Sequence, residues 1–163
     1  VVYNPGEINS VKMVQLLRET LVSDNITLVE ATASKTGDVS AAVTSLSDKV
    51  QALYIPNDNT AVAAMKSIAL VAERHKIPLF AGDVGSVMTG ALATKGYDRY
   101  ELGKKVGEQV VKILQGTNPA SLPVLVNHPL HIYVNMQTAA RIGMDFPSSF
   151  LKTARIIGEE GKG

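Results

Sequence analysis

The stretch Ala52-Leu53-Tyr54-Ile55-Pro56-Asn57-Asp58-Asn59-Thr60 decides the reading of this chain, because an apolar run passes through Pro56 into four polar residues. Consecutive apolar residues bounded by turn chemistry read as a strand covered on both faces. Asn, Asp and Thr ahead of an apolar-periodic segment read as a helix start. The pattern recurs at Ile77-Pro78-Leu79-Phe80-Ala81-Gly82-Asp83, where a second apolar run ends in a glycine and a carboxylate. A helix start leaves backbone N–H groups unpaired and partly positive, which suits an anion such as a carboxylate. Asp83, at the end of the neighbouring strand, would suit an ammonium, so the two turns together point to a site for a zwitterion. The alternative, that Asp58 or Asn59 simply caps a helix, is the commonest use of these residue types and stands beside it.

Outward from this core the unit repeats. Val1–Tyr3 reads as a strand already under way, which suggests a chain that begins partway through a longer polypeptide. Asn4–Glu7 is a turn, and Ser10–Ser23 places Val11, Val14, Leu17 and Leu21 at helical spacing. Ile26–Glu30 reads as a second strand, followed by a helix from about Asp38, a candidate N-cap, to Asp48. A third helix is expected over Asn59–His75, with Val62, Met65, Ile68, Ala69 and Ala72 on one face. Beyond Asp83, an apolar run at Gly90–Thr94 precedes a helix over Tyr100–Leu114 with a stripe of Leu102, Val106, Val110, Ile113 and Leu114. Leu130–Val134 reads as a last strand before helical pieces at Met136–Ile142 and Ser148–Ile157, and residues 158–163 as a frayed tail. Strands interleaved with helices in this way predict an α/β fold with a doubly wound parallel sheet, a flavodoxin-like three-layer sandwich, over residues 1–157. Ligands of such sheets lie beyond the carboxyl ends of the strands, where the turns Asn4–Glu7, Asn57–Thr60 and Gly82–Ser86 are expected to converge.

Composition narrows the function. With 163 residues, 45% of them hydrophobic, the chain can bury one good core. A net charge of +1, from 16 basic and 15 acidic residues, carries no electrostatic footprint for nucleic acid or anionic lipid. The absence of cysteine excludes disulfides, thiolate metal sites and a cysteine nucleophile. No run approaches the length needed to cross a bilayer as a helix. There is no G-x-G-x-x-G turn, Walker loop, H-E-x-x-H motif or G-x-S-x-G elbow. Gly96 to Lys105 has the wrong spacing for a phosphate loop, and His75, His128 and His131 are not arranged as metal ligands. Asp58 and Asp83 could in principle pair as an acid and a base, yet no substrate position accompanies them. No catalytic residue, metal or cofactor is therefore expected, and the positive signal is for holding a ligand.

Taken in order, Val1–Ser10, Tyr54–Thr60, Ile77–Asp83, Gly90–Asp98 and Ile132–Asn135 resemble the substrate-binding proteins of ABC transporters, specifically the second lobe of the type I periplasmic binding proteins. Some members of that group bind aromatic amino acids. The resemblance implies a non-enzymatic, extracytoplasmic protein, periplasmic or membrane-anchored, that captures a small solute such as an amino acid between two lobes and passes it to an ABC permease. Asn57, Asp58, Asn59, Thr60 and Asp83 match the cleft turns, with Asn4 and Glu7 as outer candidates. It also implies a leader and a first lobe outside these residues, on which a crossing helix at 98–115 would pack. Without that lobe, the helix is expected either to fold back onto its own sheet or to be exchanged in a domain-swapped homodimer.

Two other readings stay open on the sequence. A receiver-like phosphoacceptor domain would use Asp58 and Lys95, although Tyr3, Asn4 and Pro5 stand where an acidic pair should hold magnesium. A flavin-binding or sugar-processing enzyme would fit the same layout. Tyr3, Tyr54 and Phe80 would line an aromatic pocket or, more commonly for such positions, the core.

Overall fold

The computed structural model describes residues 1–126 and 129–158. β1 (Val2–Tyr3) leads into α1 (Ile8–Leu21), and β2 (Ala31–Thr32) into α2 (Val39–Leu46). β3 (Leu53–Ile55) leads into α3 (Asn59–Ala63) and α4 (Met65–Arg74), and β4 (Leu79–Ala81) into α5 (Val84–Thr89). β5 (Ala93–Tyr97) runs into α6 (Arg99–Leu114) and β6 (Leu130–Asn135) into α7 (Met136–Ile142), before α8 (Ser148–Leu151) and β7 (Ala154–Ile157).

The main sheet has the order β3-β4-β5-β6-β7, and the parallel pair β1-β2 lies against its β3 edge. Every ladder is parallel except β5–β6, which the sequence reading did not anticipate. Its cause is the route of the chain. Tyr97, at the exit of β5, pairs with Leu130, at the entry of β6, so the chain leaves β5 and enters β6 at one rim of the sheet. The principal core lies under β3 and β4, where Leu53, Ile55, Ile68, Leu79 and Val87 are fully buried with Val39 and Val43 of α2. A second cluster joins Leu92 and Val134 to Ala139 and Ile142, with Phe146 stacked on Phe150 at 5.2 Å. On β3 and β4 burial alternates: Leu53, Ile55, Leu79 and Ala81 are buried while Tyr54 is half-buried and Phe80 exposed, so the expected cover on both faces is incomplete here.

Several elements differ from expectation. The second strand is Ala31–Thr32, not Ile26–Glu30, because its ladder is set by β1 in the register Val2↔Ala31. Asp38 stands at the start of α2 but makes no capping hydrogen bond. The long helix after β3 breaks at Ala64 (φ −97°, ψ 9°), whose N–H turns back to Ala61. The break leaves Met65, Ile68 and Ala72 of α4 buried. The fifth strand begins at Ala93, because Gly90 (φ 130°) and Ala91 close α5, a helix capped by Asp83, with the Ala91 N–H donating back to the Ser86 carbonyl at 3.0 Å. The expected helix over Ser148–Ile157 stops at Leu151, and Ala154–Ile157 instead pairs with β6. Nor does α6 fold back onto its sheet. None of its residues is buried, and Val106, Val110, Val111, Ile113 and Leu114 are exposed. His128 and the tail from residue 159 lie outside the described residues.

Candidate functional site

The turns after β3, β4 and β5 meet at the carboxyl rim of the sheet around a cavity of about 370 Å³, lined by Asn57, Asp58, Asn59, Gly82, Asp83, Tyr97, Arg99 and Leu102 among others. The contact between the first two turns is close. The Gly82 N–H donates to the Ile55 carbonyl at 2.9 Å, and a Cβ on Gly82 would stand 3.0 Å from both the amide nitrogen and the side-chain oxygen of Asn57. A glycine is what lets the end of β4 come this near its neighbour.

Asp58 is fully buried. Its Oδ1 accepts from the Ala61 N–H at 2.8 Å and its Oδ2 from the Asn4 N–H at 2.7 Å. Through these two bonds Asp58 caps α3 and ties the β1 turn to the β3 turn, while it also forms part of the cavity wall. The same burial removes the receiver-like reading, since a phosphoacceptor carboxylate must be reachable.

The α3 amides do hold a carboxylate, and it is the protein's own. Glu7 Oε2 accepts from the N–H and Nδ2 of Asn59 at 2.8 and 3.0 Å, while Oε1 accepts from the N–H and Oγ1 of Thr60, both at 3.0 Å. Asn4 Nδ2 donates to the Thr60 hydroxyl at 2.9 Å. The Asn59 amide, with the Thr60 donors and against partial desolvation, holds the Glu7 carboxyl below the usual carboxylate range. Asn57 takes part through its backbone, its carbonyl accepting from Asn9 Nδ2.

Asp83 caps α5. Its Oδ1 accepts from the Ser86 N–H at 3.0 Å and its Oδ2 from the Ser86 hydroxyl. Across the cavity, Arg99 Nη2 lies 3.7 Å from Asp83 Oδ1, and the arginine side chain is 77% exposed. The result is a loose, water-screened pairing of opposite charges on the wall of one cavity. None of Gly96, Tyr97, Arg99 and Leu102 stands out as a site residue from sequence, because the apolar run that marks β5 lies three residues ahead of the strand itself; Gly96 and Tyr97 fall inside the Gly90–Asp98 segment and Leu102 on the α6 stripe. The aromatic residues named from sequence lie elsewhere. Tyr3 is buried, with its hydroxyl donating to Glu30 at 3.1 Å, while Tyr54 and Phe80 line a separate apolar hollow of about 680 Å³ with Leu17 and Leu28. Among the described residues there is no His/Cys/Asp/Glu cluster able to hold a metal, and no helix is long and apolar enough to cross a membrane.

The family described as ABC transporter substrate binding protein matches residues 1–157. A tyrosine-binding protein of Clostridioides difficile is 36% identical over 144 residues, covering 88% of this chain and 42% of the relative. Among solved structures, a conserved domain protein from Vibrio cholerae superposes with a TM-score of 0.83 at 35% identity, over 95% of this chain and 52% of that one. A streptococcal ABC domain in complex with L-Trp superposes with a TM-score of 0.82 at 27% identity, again over 95% and 52%. The chain thus spans about half the length of these relatives.

Proposed function

We propose that this chain, which belongs to the ABC transporter substrate binding protein family, is one lobe of a receptor that captures a small amphoteric solute outside the cytoplasmic membrane and delivers it to a membrane permease. The observation that carries the reading is the placement of Asp83 and Arg99 on one rim cavity beside the Asn57–Asn59 turn. A free amino acid offers the complementary pair, its carboxylate to the Arg99 guanidinium and its ammonium to Asp83, with Asn57 and Asn59 supplying neutral polar contacts. In this reading Asp58 and Thr60 support the turn through Asn4 and Glu7, and Arg99 replaces the α3 amides as the carboxylate partner. Closure of a second lobe would exclude water and strengthen both ionic contacts.

An aromatic amino acid is the proposed solute class, supported by the tyrosine-binding relative and the L-Trp-bound structural neighbour. A first lobe is the proposed cover for the exposed face of α6. Nothing in the single chain supports exchange of that helix between two copies. The site is built for capture, and no catalytic role is assigned to any of its residues.

Calorimetry of the complete polypeptide that carries this lobe, titrated with a panel of amino acids, tests the proposal. Saturable binding of aromatic members is expected, weakened about tenfold or more by Asp83→Ala or Arg99→Ala, since losing a charged contact costs at least ~1.4 kcal/mol. No binding across the panel would overturn it.

A further inference from the structure

We propose that Arg155 clasps the first turn of α6 and sets the direction in which that helix leaves the sheet. β5 ends and β6 begins at one rim, and no residue of α6 is fully buried. What it has instead is a network of charges at its root. Asp98 Oδ1 caps the helix by accepting from the N–H groups of Tyr100 and Glu101 at 2.9 and 3.1 Å, while its Oδ2 accepts from Arg155 Nη1. Arg155 Nη2 reaches Glu101 Oε1 at 3.3 Å, so a single guanidinium from β7 bridges the cap residue and the first turn.

The arginine is itself oriented. Its Nη1 donates to the Tyr133 hydroxyl at 3.1 Å and its Cζ lies 5.6 Å from the Tyr133 ring centroid. His131 Nε2 stands 3.2 Å from Arg155 Nη2 and 3.3 Å from Glu101 Oε2. Tyr133 pairs with Arg155 and Thr94, and His131 with Gly96, so the clasp sits on one face of the three strands β5, β6 and β7. A planar fork that meets two carboxylates and lies over an aromatic ring restricts orientation in a way a lone surface ion pair does not.

Electrostatic balance agrees with the geometry. The Glu101 amide and Arg155 hold the Asp98 carboxyl below its ordinary range, and Asp98 raises the basicity of Arg155. Other attachments of α6 are weaker: Gln109 Nε2 donates to the Pro123 carbonyl at 3.0 Å within the same excursion, and Arg99 approaches Asp83 at 3.7 Å. Arg155 is thus a positioning residue. It acts through α6, whose Arg99 and Leu102 form part of the cavity wall. That consequence for the cavity rests on the solute-capture reading, whereas the clasp itself does not.

The chain has no cysteine, so spin labels can be placed at Lys66→Cys on α4 and Lys112→Cys on α6, two exposed positions away from the cavity. Pulsed electron resonance on the ligand-free chain, diluted with unlabelled chain, then reads the distance between the helices. A single narrow peak is expected for the unaltered clasp, and its loss in R155Q. R155K should fail to restore it, because an ammonium cannot fork between Asp98 and Glu101. R18Q, which removes the Arg18–Glu30 pair on the other side of the molecule, should leave the peak intact. If R155Q does not fold, D98N carries the test, since it keeps an oxygen for the cap and removes the charge. A peak as narrow in R155Q and D98N as in the parent, or one equally lost in R18Q, overturns the proposal. Neither outcome depends on solute binding.

Discussion

Ile68 of α4 is fully buried among Leu53, Ile55 and Leu79, whereas α6, with 16 residues, buries none of them. Both helices carry an apolar stripe, yet one stripe is the floor of the core and the other faces outward from the rim. The first region is held by surface removed from water and the second by ions at its root. Hydrophobic burial is insensitive to pH and salt near neutrality, while an ionic attachment responds to both. The molecule therefore combines a body whose stability lies in packing with an arm whose direction depends on a few charged groups.

The contrast is broken most severely from the core side. Ile68→Ala truncates a fully buried side chain of the principal core, and a loss of about 3–4 kcal/mol is expected in urea unfolding monitored by circular dichroism. Asp58→Ala strips the buried partner from the Asn4 and Ala61 N–H groups, and the same measurement should show a loss of about 2–3 kcal/mol. The two variants ought to differ in where they act. Ile68→Ala should lower hydrogen-exchange protection throughout β3 and β4, and Asp58→Ala should begin with the Asn4 and Asn57–Thr60 turns.

Glu7→Gln gives a smaller effect whose sign depends on pH. The Glu7 carboxyl titrates below its unfolded value, so the stability it supplies is present above the unfolded carboxylate range and is lost as pH falls through the lowered folded value. Glu7→Gln should therefore be less stable than the parent at neutral pH, with the gap closing on acidification. Thermal melts across an acid series read this directly, and a gap that widens on acidification would contradict it. Smallest of all, Val110→Lys on the exposed stripe of α6 should change unfolding free energy by less than about 0.5 kcal/mol. In sedimentation it should reduce any self-association of the chain, whereas lysine at position 68 would prevent folding.

Sequence made the body legible because its strands and caps are local features. The apolar runs at Leu53–Ile55 and Leu79–Ala81 are strands, and Asp58, read as a ligand contact or a cap, occupies a cap position, as does Asp83, which reads from sequence only as a ligand contact. What escaped was tertiary. Nothing near Asn59 and Thr60 announces that Glu7, 52 and 53 residues away in sequence, will take their amides. The short run Ala154–Ile157 carries no period that separates strand from helix, and only its partner β6 decides. The stripe on α6 says that a helix is amphipathic without saying what covers it. Arg99 went unnoticed because its place at the cavity depends on where β5 ends.

In the proposed function the rim cavity, and not the apolar hollow beside Tyr54 and Phe80, receives the solute. Amide chemical shifts of the isotopically labelled chain, recorded during addition of L-tryptophan, test it most directly. Weak, saturable perturbations clustered at Asn57, Asn59, Gly82, Asp83 and Arg99 are expected, while perturbations confined to Leu28, Tyr54 and Phe80 would rule the rim cavity out.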